Sequence, residues 1–251
     1  MTLLKHERID RRRARMSGRT IGFVVASLIM AAVFIRLGAW QVDRLHERRQ
    51  RNALLRQRMN APAAPLTSLA GTPNQLRYRR ARVSGRADYA HQIVYASRTR
   101  EGSPGVYLLT PVLPTGADTA VLVARGWVYA PDGATIDAAR WREADSLTVE
   151  GYLDELPPFS ATSDAMVGRP GTVTRLDRSR MEKRIGRPLR AVYLLATADS
   201  GTARSEKPAR FTLPVLDDGP HRSYAFQWFS FAAIAVVGAG IVIRNEAVGR
   251  R

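Results

Sequence analysis

Cysteine is absent from this sequence, which excludes a disulfide framework, a thiolate zinc site and a copper relay built on thiols. Histidine is nearly as scarce, since His6, His46, His91 and His221 are the whole supply. No two of them stand at a close metal-ligand spacing, so a metal site made only of this chain's side chains is not expected. Acidic residues are few as well. The 22 Asp and Glu face 39 Lys and Arg, a formal net charge of +17. Such a balance invites a nucleic-acid reading. The arginines, however, are spread along the chain and are densest just ahead of the first apolar run, which suits control of membrane topology better than contact with phosphates. No nucleic-acid partner is expected. Catalytic signatures are missing too: there is no GxSxG, P-loop, dinucleotide fingerprint or HExxH. Asp154 and Glu155 are adjacent, and neighbours on a strand point to opposite faces, so they do not form an acid/base pair. The chain reads as something other than an enzyme.

What the sequence does contain is two long apolar runs. Residues 20–40 would span about 31 Å as a helix, matching the hydrocarbon core of a bilayer. Arg36 is the only charge in that run, close enough to its far end to snorkel, and Trp40 stands where an interfacial aromatic belongs. Residues 224–243 carry no charge, open with Tyr224, Trp228 and Phe229, and end at Arg244. A cleaved signal peptide is the alternative for the first run, but the basic leader is long and an Ala-x-Ala site is missing. Both runs are therefore read as transmembrane helices. Lys5, Arg8, Arg11, Arg12, Arg13, Arg15 and Arg19 precede the first; Arg244, Arg250 and Arg251 follow the second. Both termini are accordingly expected in the cytoplasm and the central domain in the periplasm, in a two-pass protein of the cell inner membrane. Arg44, Arg48, Arg49 and Arg51, just after the first span, pull against this, although long translocated domains weigh little in the rule.

The expected organisation is a basic cytoplasmic tail (1–19), transmembrane helix one (20–40), a helical extension and Pro-rich linker (41–73), an extracytoplasmic domain (74–221), transmembrane helix two (224–243) and a short tail (244–251). Within the domain, segments rich in Val, Tyr, Leu and Thr at 76–89, 92–98, 106–112, 119–128, 146–154 and 189–197 alternate with Gly/Pro turns, the pattern of short strands. Two helical inserts are predicted, at 136–144 and 177–185; the second has Asp177 as N-cap and stops at Gly186. The fold class is α+β: two transmembrane helices flanking a mostly antiparallel β domain, a small barrel or sheet with one or two helices.

Candidate site residues gather at the membrane boundary. Arg36, Trp40 and Arg44 are four apart and share one helical face, and His221, Tyr224 and Trp228 share another. Were the two helices to pack together, an imidazole, aromatic rings and guanidiniums would surround one site, a receptor suited to a flat, apolar, anionic cofactor such as haem. The ordinary alternative is an interfacial belt of aromatics, snorkelling arginines and a histidine that caps a helix.

Several segments also resemble a known family. Leu37-Gly38-Ala39-Trp40-Gln41-Val42-Asp43-Arg44 is similar to the G-x-W-Q-x-x-R signature of the surfeit locus protein one family, assembly factors of haem-copper cytochrome c oxidase. Arg82-Val83-Ser84-Gly85, Gly102-Ser103-Pro104-Gly105 with Leu109-Thr110-Pro111, and Val121-Leu122-Val123-Ala124-Arg125-Gly126-Trp127-Val128 resemble its domain blocks in order. His221-Arg222-Ser223-Tyr224-Ala225-Phe226-Gln227-Trp228-Phe229 resembles its entry to the second span. The sequence departs from the family at Ala124, where Asn is usual, at Asp217-Asp218-Gly219-Pro220, and in 159–174, which lacks an expected Trp.

The resemblance implies a non-enzymatic role in respiratory chain biogenesis: transient binding of haem a, with His221 as axial ligand to its iron, and help in inserting it into the oxidase catalytic subunit. Tyr224, Trp228, Arg44 and Trp40 would line the cofactor. Implied partners are that subunit, the haem a synthesis machinery and membrane lipid, with a homo-oligomer left open. Arg125, Gly126 and Trp127 are read first as structural. Competing readings are a haem-free scaffold in oxidase biogenesis and a two-anchor regulator of polysaccharide chain length.

Overall fold

The structure, a computed structural model, describes residues 16–158, 171–197 and 207–248. The basic leader through Arg15, the terminal Arg250 and Arg251, and most of the Trp-less stretch 159–174 lie outside the described residues. Two compact units result. One comprises residues up to Asn52 together with those from Asp217 onward, the other Ala53–Leu216.

The first unit is a helix pair. Helix α1 covers Gly18–Asn60, its 43 residues far outrunning one bilayer crossing, and the last helix, α4, covers His221–Val248. Both are long and apolar enough to cross a membrane. Their large apolar side chains face outward, with Ile29 61% and Phe226 76% exposed, as suits lipid contact and not a water-soluble core helix. The architecture is that of a two-pass membrane protein in outline.

What joins the helices is a narrow seam. On α1, Ala31, Gly38, Gln41, Leu45 and Asn52 are buried and Phe34 is half-buried. On α4 the buried positions are Ala225, Ala232 and Ala239, with His221, Trp228 and Ala235 half-buried. Alternating steps of three and four are the spacing of knobs-into-holes packing. In lipid, where apolar residues gain nothing by leaving solvent, small residues at such a seam let the backbones approach. Gly38 marks the tightest point, since a Cβ there would sit 2.7 Å from the Phe229 ring. The helices run antiparallel, for the backbone N–H of Ser17 donates to Glu246 Oε1 (2.7 Å) while Gln41 meets His221.

The second unit is a small barrel. Its elements are β1 (Ala64–Pro65), α2 (Pro73–Leu76), β2 (Arg80–Ala87), β3 (Ile93–Arg100), β4 (Ser103–Pro114), β5 (Val121–Tyr129), β6 (Ser146–Glu155), β7 (Thr172–Val173), α3 (Arg178–Ile185) and β8 (Val192–Ala196). The sheet order is β1-β2-β6-β8-β5-β4-β3-β7, and β2 also pairs with β4, so β2, β6, β8, β5 and β4 close into a ring. Closure happens where β2 leaves β6 and reaches β4 at Gly85↔Pro114; a Cβ on Gly85 would lie 2.2 Å from the Leu113 carbonyl oxygen. Most pairings are antiparallel, while β1–β2, β3–β7 and β5–β8 are parallel.

Period-two alternation sorts the side chains. Ala81, Val83, Val112, Val121, Val123, Leu147, Val149, Leu153, Val192 and Leu194 share one buried cluster to which all five ring strands contribute. Leu109, Leu122, Ala124 and Leu195 turn to the other face, beneath Met181 and Ile185 of α3. Each such Leu, Ile or Val stabilises the fold by about 1.5–3 kcal/mol on burial. Helix α3 starts as predicted, with the Asp177 side chain accepting from the backbone N–H of Arg180 (3.1 Å), and stops at Gly186 in the left-handed region.

Three expectations need correction. The insert at 136–144 is not a helix; it holds only a short 3₁₀ turn, Ala139–Trp141. The backbone groups a helix would have used are taken elsewhere: the Trp141 carbonyl accepts from Arg125 Nη1 (2.6 Å), and the Glu143 N–H donates to Tyr89 Oη (3.0 Å). The strand predicted at 76–89 begins only at Arg80, because Thr72 and Gln75 form a capping box for α2. The Pro-rich stretch before it is also not a free linker, since Ala64 and Pro65 pair with Ala81 and Arg82 and Leu66 is buried in the barrel core.

Candidate functional site at the start of the last helix

Helix α4 opens sharply. Gly219 has φ +68°, Pro220 follows, and the Pro220 carbonyl accepts from Ser223 Oγ (2.8 Å) and the Tyr224 N–H (3.1 Å), closing the first turn. The turn is fastened to α1 in the same unit. Arg48 donates to the carbonyl oxygen and Oδ1 of Asp217 (both 3.3 Å), Asn52 Nδ2 donates to the Asp217 carbonyl (2.6 Å), and Arg49 Nε to Asp218 Oδ2 (2.9 Å). Exposed ion pairs stabilise little, so the buried Asn52 amide is the firmer anchor. Arg48 and Arg49, which appeared at odds with the topology rule, thus have local partners, and the acidic Asp217-Asp218 pair is what they hold.

His221 sits on the seam. Its Nδ1 lies 2.8 Å from Gln41 Oε1, and Gln41 itself is buried. An amide oxygen only accepts, so Nδ1 carries the proton of this bond, and in the neutral imidazole that leaves the lone pair on Nε2. That is the arrangement by which an outer-sphere acceptor fixes the tautomer and direction of a metal-ligating imidazole. Two turns on, Trp228 stacks with Phe34 at 5.7 Å and 29°, and Phe231 closes the aromatic group.

The structure brings together some of the sequence candidates and separates others. His221 and Trp228 share the seam. Trp40 and Arg44 pair with each other, the Arg44 guanidinium carbon lying 5.7 Å from the Trp40 ring centroid, and Arg44 Nη1 bonds Glu47 Oε2 at 2.7 Å. Trp40, Arg36 and Tyr224 are exposed, and no hydrogen bond or ring contact among the described residues links Trp40 or Arg44 to His221. The expected single enclosure of five side chains is therefore a seam of two, plus an outward face. Gln41, Asn52 and Asp217 were missed as site residues. The signal was present for Gln41, which falls on the 34, 38, 41, 45 spacing, whereas nothing local marks Asn52.

The domain motif Arg125-Gly126-Trp127 lies in the other unit and has a different character. Leu108 pairs with Gly126 and Leu109 with Ala124, so Arg125 is the extra residue of a β-bulge, and a bulge re-aims the side chain it inserts. Gly126, at φ +157°, accommodates the distortion where a Cβ would come within 2.6 Å of the Ala209 carbonyl oxygen. Arg125 is fully buried. Its Nε donates to Thr110 Oγ1 (2.9 Å), Nη1 to the Trp141 carbonyl and Glu143 Oε1 (2.9 Å), and Nη2 to Gln92 Oε1. Arg210 adds a second cation, Nη2 bonding Glu143 Oε2 at 2.6 Å and Nη1 the Arg125 carbonyl.

Burial lowers the Arg125 pKa against the support of Glu143. For Glu143, burial pushes upward, but hydrogen bonds and charge from Arg210 and Arg125 together hold its carboxyl below the ordinary range. Burial raises the Tyr89 phenol, whose ring lies under Arg125 at 5.2 Å. Trp127 Nε1 donates to the Arg98 carbonyl (3.2 Å). The hydrogen bonds named here all stay within the barrel. The described residues contain no cluster of His, Asp and Glu that would hold a metal ion unaided.

Comparison with known proteins adds the context. A family model described as SURF1 family matches residues 28–233, which takes in both the helix seam and the barrel. A SURF1-like protein of Mycobacterium tuberculosis is 26% identical over 240 residues, covering 92% of this chain and 86% of the relative. A SURF1-like protein of Rickettsia bellii is 26% identical over 218 residues, 84% of this chain and 86% of its own. The cytochrome oxidase assembly protein SHY1 of Saccharomyces cerevisiae is 29% identical over 136 residues, 51% of this chain and 34% of the yeast protein. With one family model spanning both of its units, this chain belongs to the SURF1 family.

Proposed function

We propose that the protein assists biogenesis of haem-copper cytochrome c oxidase, and that it does so by holding haem a at the start of α4 before the haem enters the oxidase catalytic subunit. The observation that carries the haem reading is the fixed imidazole: Nδ1 engaged by buried Gln41, Nε2 left with a lone pair. The likeness to a yeast protein named for oxidase assembly supports the broader role.

The residues fit the cargo. Haem iron takes an imidazole nitrogen as axial ligand, and His221 Nε2 would provide it. Gln41 orients the ring. The exposed aromatic faces of Tyr224 and Trp40 would offer apolar contact, and the guanidiniums of Arg44, just beyond the apolar run of α1, and of Arg222, in the first turn of α4, would pair with propionate carboxylates. No step of bond making or breaking falls to the protein, whose role is to bind, orient and release. The two apolar helices and the arginines at their flanks favour an inner-membrane protein with both termini cytoplasmic and the barrel periplasmic. In that setting the chain's partners are the catalytic subunit and the machinery that makes haem a.

The role is tested by deleting the gene and recording haem a content and oxidase activity of membranes, then complementing with wild type or with His221→Ala. Loss of haem a incorporation on deletion, restored by wild type but not by the variant, is expected. Normal incorporation after deletion contradicts the assembly role. Full rescue by His221→Ala leaves the assembly role standing as a haem-free scaffold and removes the haem ligand.

A further inference from the structure

The turn before α4 lays bare backbone against the open side of His221. Gly219 has φ +68°, and a Cβ added to it would lie 3.5 Å from His221 Cδ2 and 3.6 Å from Nε2. No other atom outside the adjoining residues comes within 4 Å of that point. The point is therefore beside the Cδ2–Nε2 edge, since a position over the ring's face would bring the remaining ring atoms within the same distance. Gln41 holds the ring from its other nitrogen, Nδ1.

That backbone is pinned. The Gly219 N–H donates to Asp217 Oδ1 (3.0 Å), and Asn52 and Arg48 both donate to the Asp217 carbonyl. Pro220 follows, with φ fixed by its ring. The histidine and the turn that faces it are thus both tied to α1, His221 through Gln41 and Gly219 through Asp217.

We infer that Gly219 is a specificity-determining residue of the haem site: its missing side chain is the clearance a flat metal complex needs at His221 Nε2. The inference rests on the haem reading given above. An imidazole nitrogen holds a metal at about 2 Å, and a macrocycle lies across that bond at the same height. A carbon 3.6 Å from Nε2 and alongside it would then meet the macrocycle well inside the roughly 3.5–4.0 Å at which nonbonded carbons touch. A proton or a small acyl group on Nε2 requires no such space, so the residue at 219 sorts ligands by width. Glycine also suits a positive φ, which L residues rarely adopt. Asparagine tolerates that conformation, so Gly219→Asn is expected to keep the turn and remove the clearance.

The test uses the full chain in detergent as wild type, Gly219→Asn, Gly219→Ala and His221→Ala. One probe is ferric haem, titrated by absorption. The other is diethyl pyrocarbonate, which acylates unprotonated imidazole nitrogen and is read by mass spectrometry at His221, with exposed His46 as internal standard. Gly219→Asn is expected to melt like wild type, to be acylated at His221, and to bind haem at least about tenfold more weakly, about 1.4 kcal/mol. Gly219→Ala should lose haem similarly and melt lower, since alanine is strained at this φ. Haem bound by Gly219→Asn as tightly as by wild type, in a manner that His221→Ala abolishes, overturns the role of Gly219 and leaves the haem reading intact. Haem affinity and acylation lost together in Gly219→Asn overturn it too, because the substitution has then moved the imidazole itself. Wild type and His221→Ala binding haem alike overturns the haem reading, and this inference with it.

Discussion

Arg125 and His221 are both polar residues set into packed seams, and they spend their hydrogen-bonding capacity in opposite ways. Arg125 uses its whole guanidinium fork on Thr110, Trp141, Glu143 and Gln92 inside the barrel. His221 spends one nitrogen on Gln41 and leaves the other free. Both belong to sequence blocks that resemble the family, so motif membership alone does not separate a structural residue from a binding one. Saturation does. A fully partnered buried group holds a fold together, whereas one with a fixed partner on one side only keeps a nitrogen available, which is the basis of the ligand role proposed for His221.

The largest effect that would sharpen this contrast is expected at Arg125. Arg125→Ala leaves Gln92, Thr110 and the Trp141 carbonyl without their guanidinium donor and Glu143 with Arg210 and Lys207 alone, and breaking a buried pair from one side costs about 3–5 kcal/mol. A thermal or denaturant melt followed by tryptophan fluorescence checks it. Arg125→Lys should recover only part of the loss, since an ammonium lacks the fork that meets Gln92, Thr110 and Glu143 together. A variant as stable as wild type would show the network to be dispensable.

Next comes the helix seam. Gly38→Leu drives a side chain into the Phe229 ring and should cost about 1–3 kcal/mol, read as a lowered melting temperature of the helix pair in detergent. Gly38→Ala should do less, in proportion to how far the ring can turn aside. No change with leucine would mean the seam is not the contact that joins the helices.

A pH dependence of stability distinguishes the two regions further. Glu143 has a folded-state pKa held below its unfolded value, near about 4.3. Its contribution is therefore complete above that value and is lost as pH falls through the lower, folded-state pKa. The melting temperature of the barrel should fall across that acid window, and less steeply in Glu143→Gln, which starts from a lower stability at neutral pH. Identical slopes in the two proteins would remove Glu143 from the acid response. The smallest effect is expected at Trp40. It is 43% exposed and its ring partner is Arg44, so Trp40→Ala should shift stability by no more than about 0.5 kcal/mol.

Much of this was legible in the sequence for physical reasons. Two apolar runs of bilayer length, the first with Arg36 as its one charge and the second with none, short strands between Gly/Pro turns, and Asp177 and Gly186 bounding a helix are local signals, and local signals survive into the fold. What was lost depended on distant partners. The insert at 136–144 has helical composition, yet Arg125 and Tyr89 draw its backbone into other bonds. The β-bulge that buries Arg125 is written in the pairing of β4 with β5 and in no single segment. Closure of the ring through β2 and β4 rests on Gly85 meeting Leu113 far along the chain. At the candidate site, helical spacing put His221, Tyr224 and Trp228 on one face, of which His221 and Trp228 are half-buried and Tyr224 is exposed. It could not say that α4 would cover Gln41 and leave Trp40 and Arg44 exposed, because that depends on which face of α1 meets α4.

The most direct test of the account is an absorption spectrum of the protein purified in detergent after co-expression with the haem a synthesis pathway, compared with His221→Ala and Gln41→Leu. A haem a spectrum is expected in wild type, absent in His221→Ala, and weakened or shifted in Gln41→Leu, where the imidazole loses the acceptor that fixes it. Haem a bound equally by His221→Ala, or by none of the folded proteins, would contradict the claim that the open nitrogen of His221 is an iron ligand.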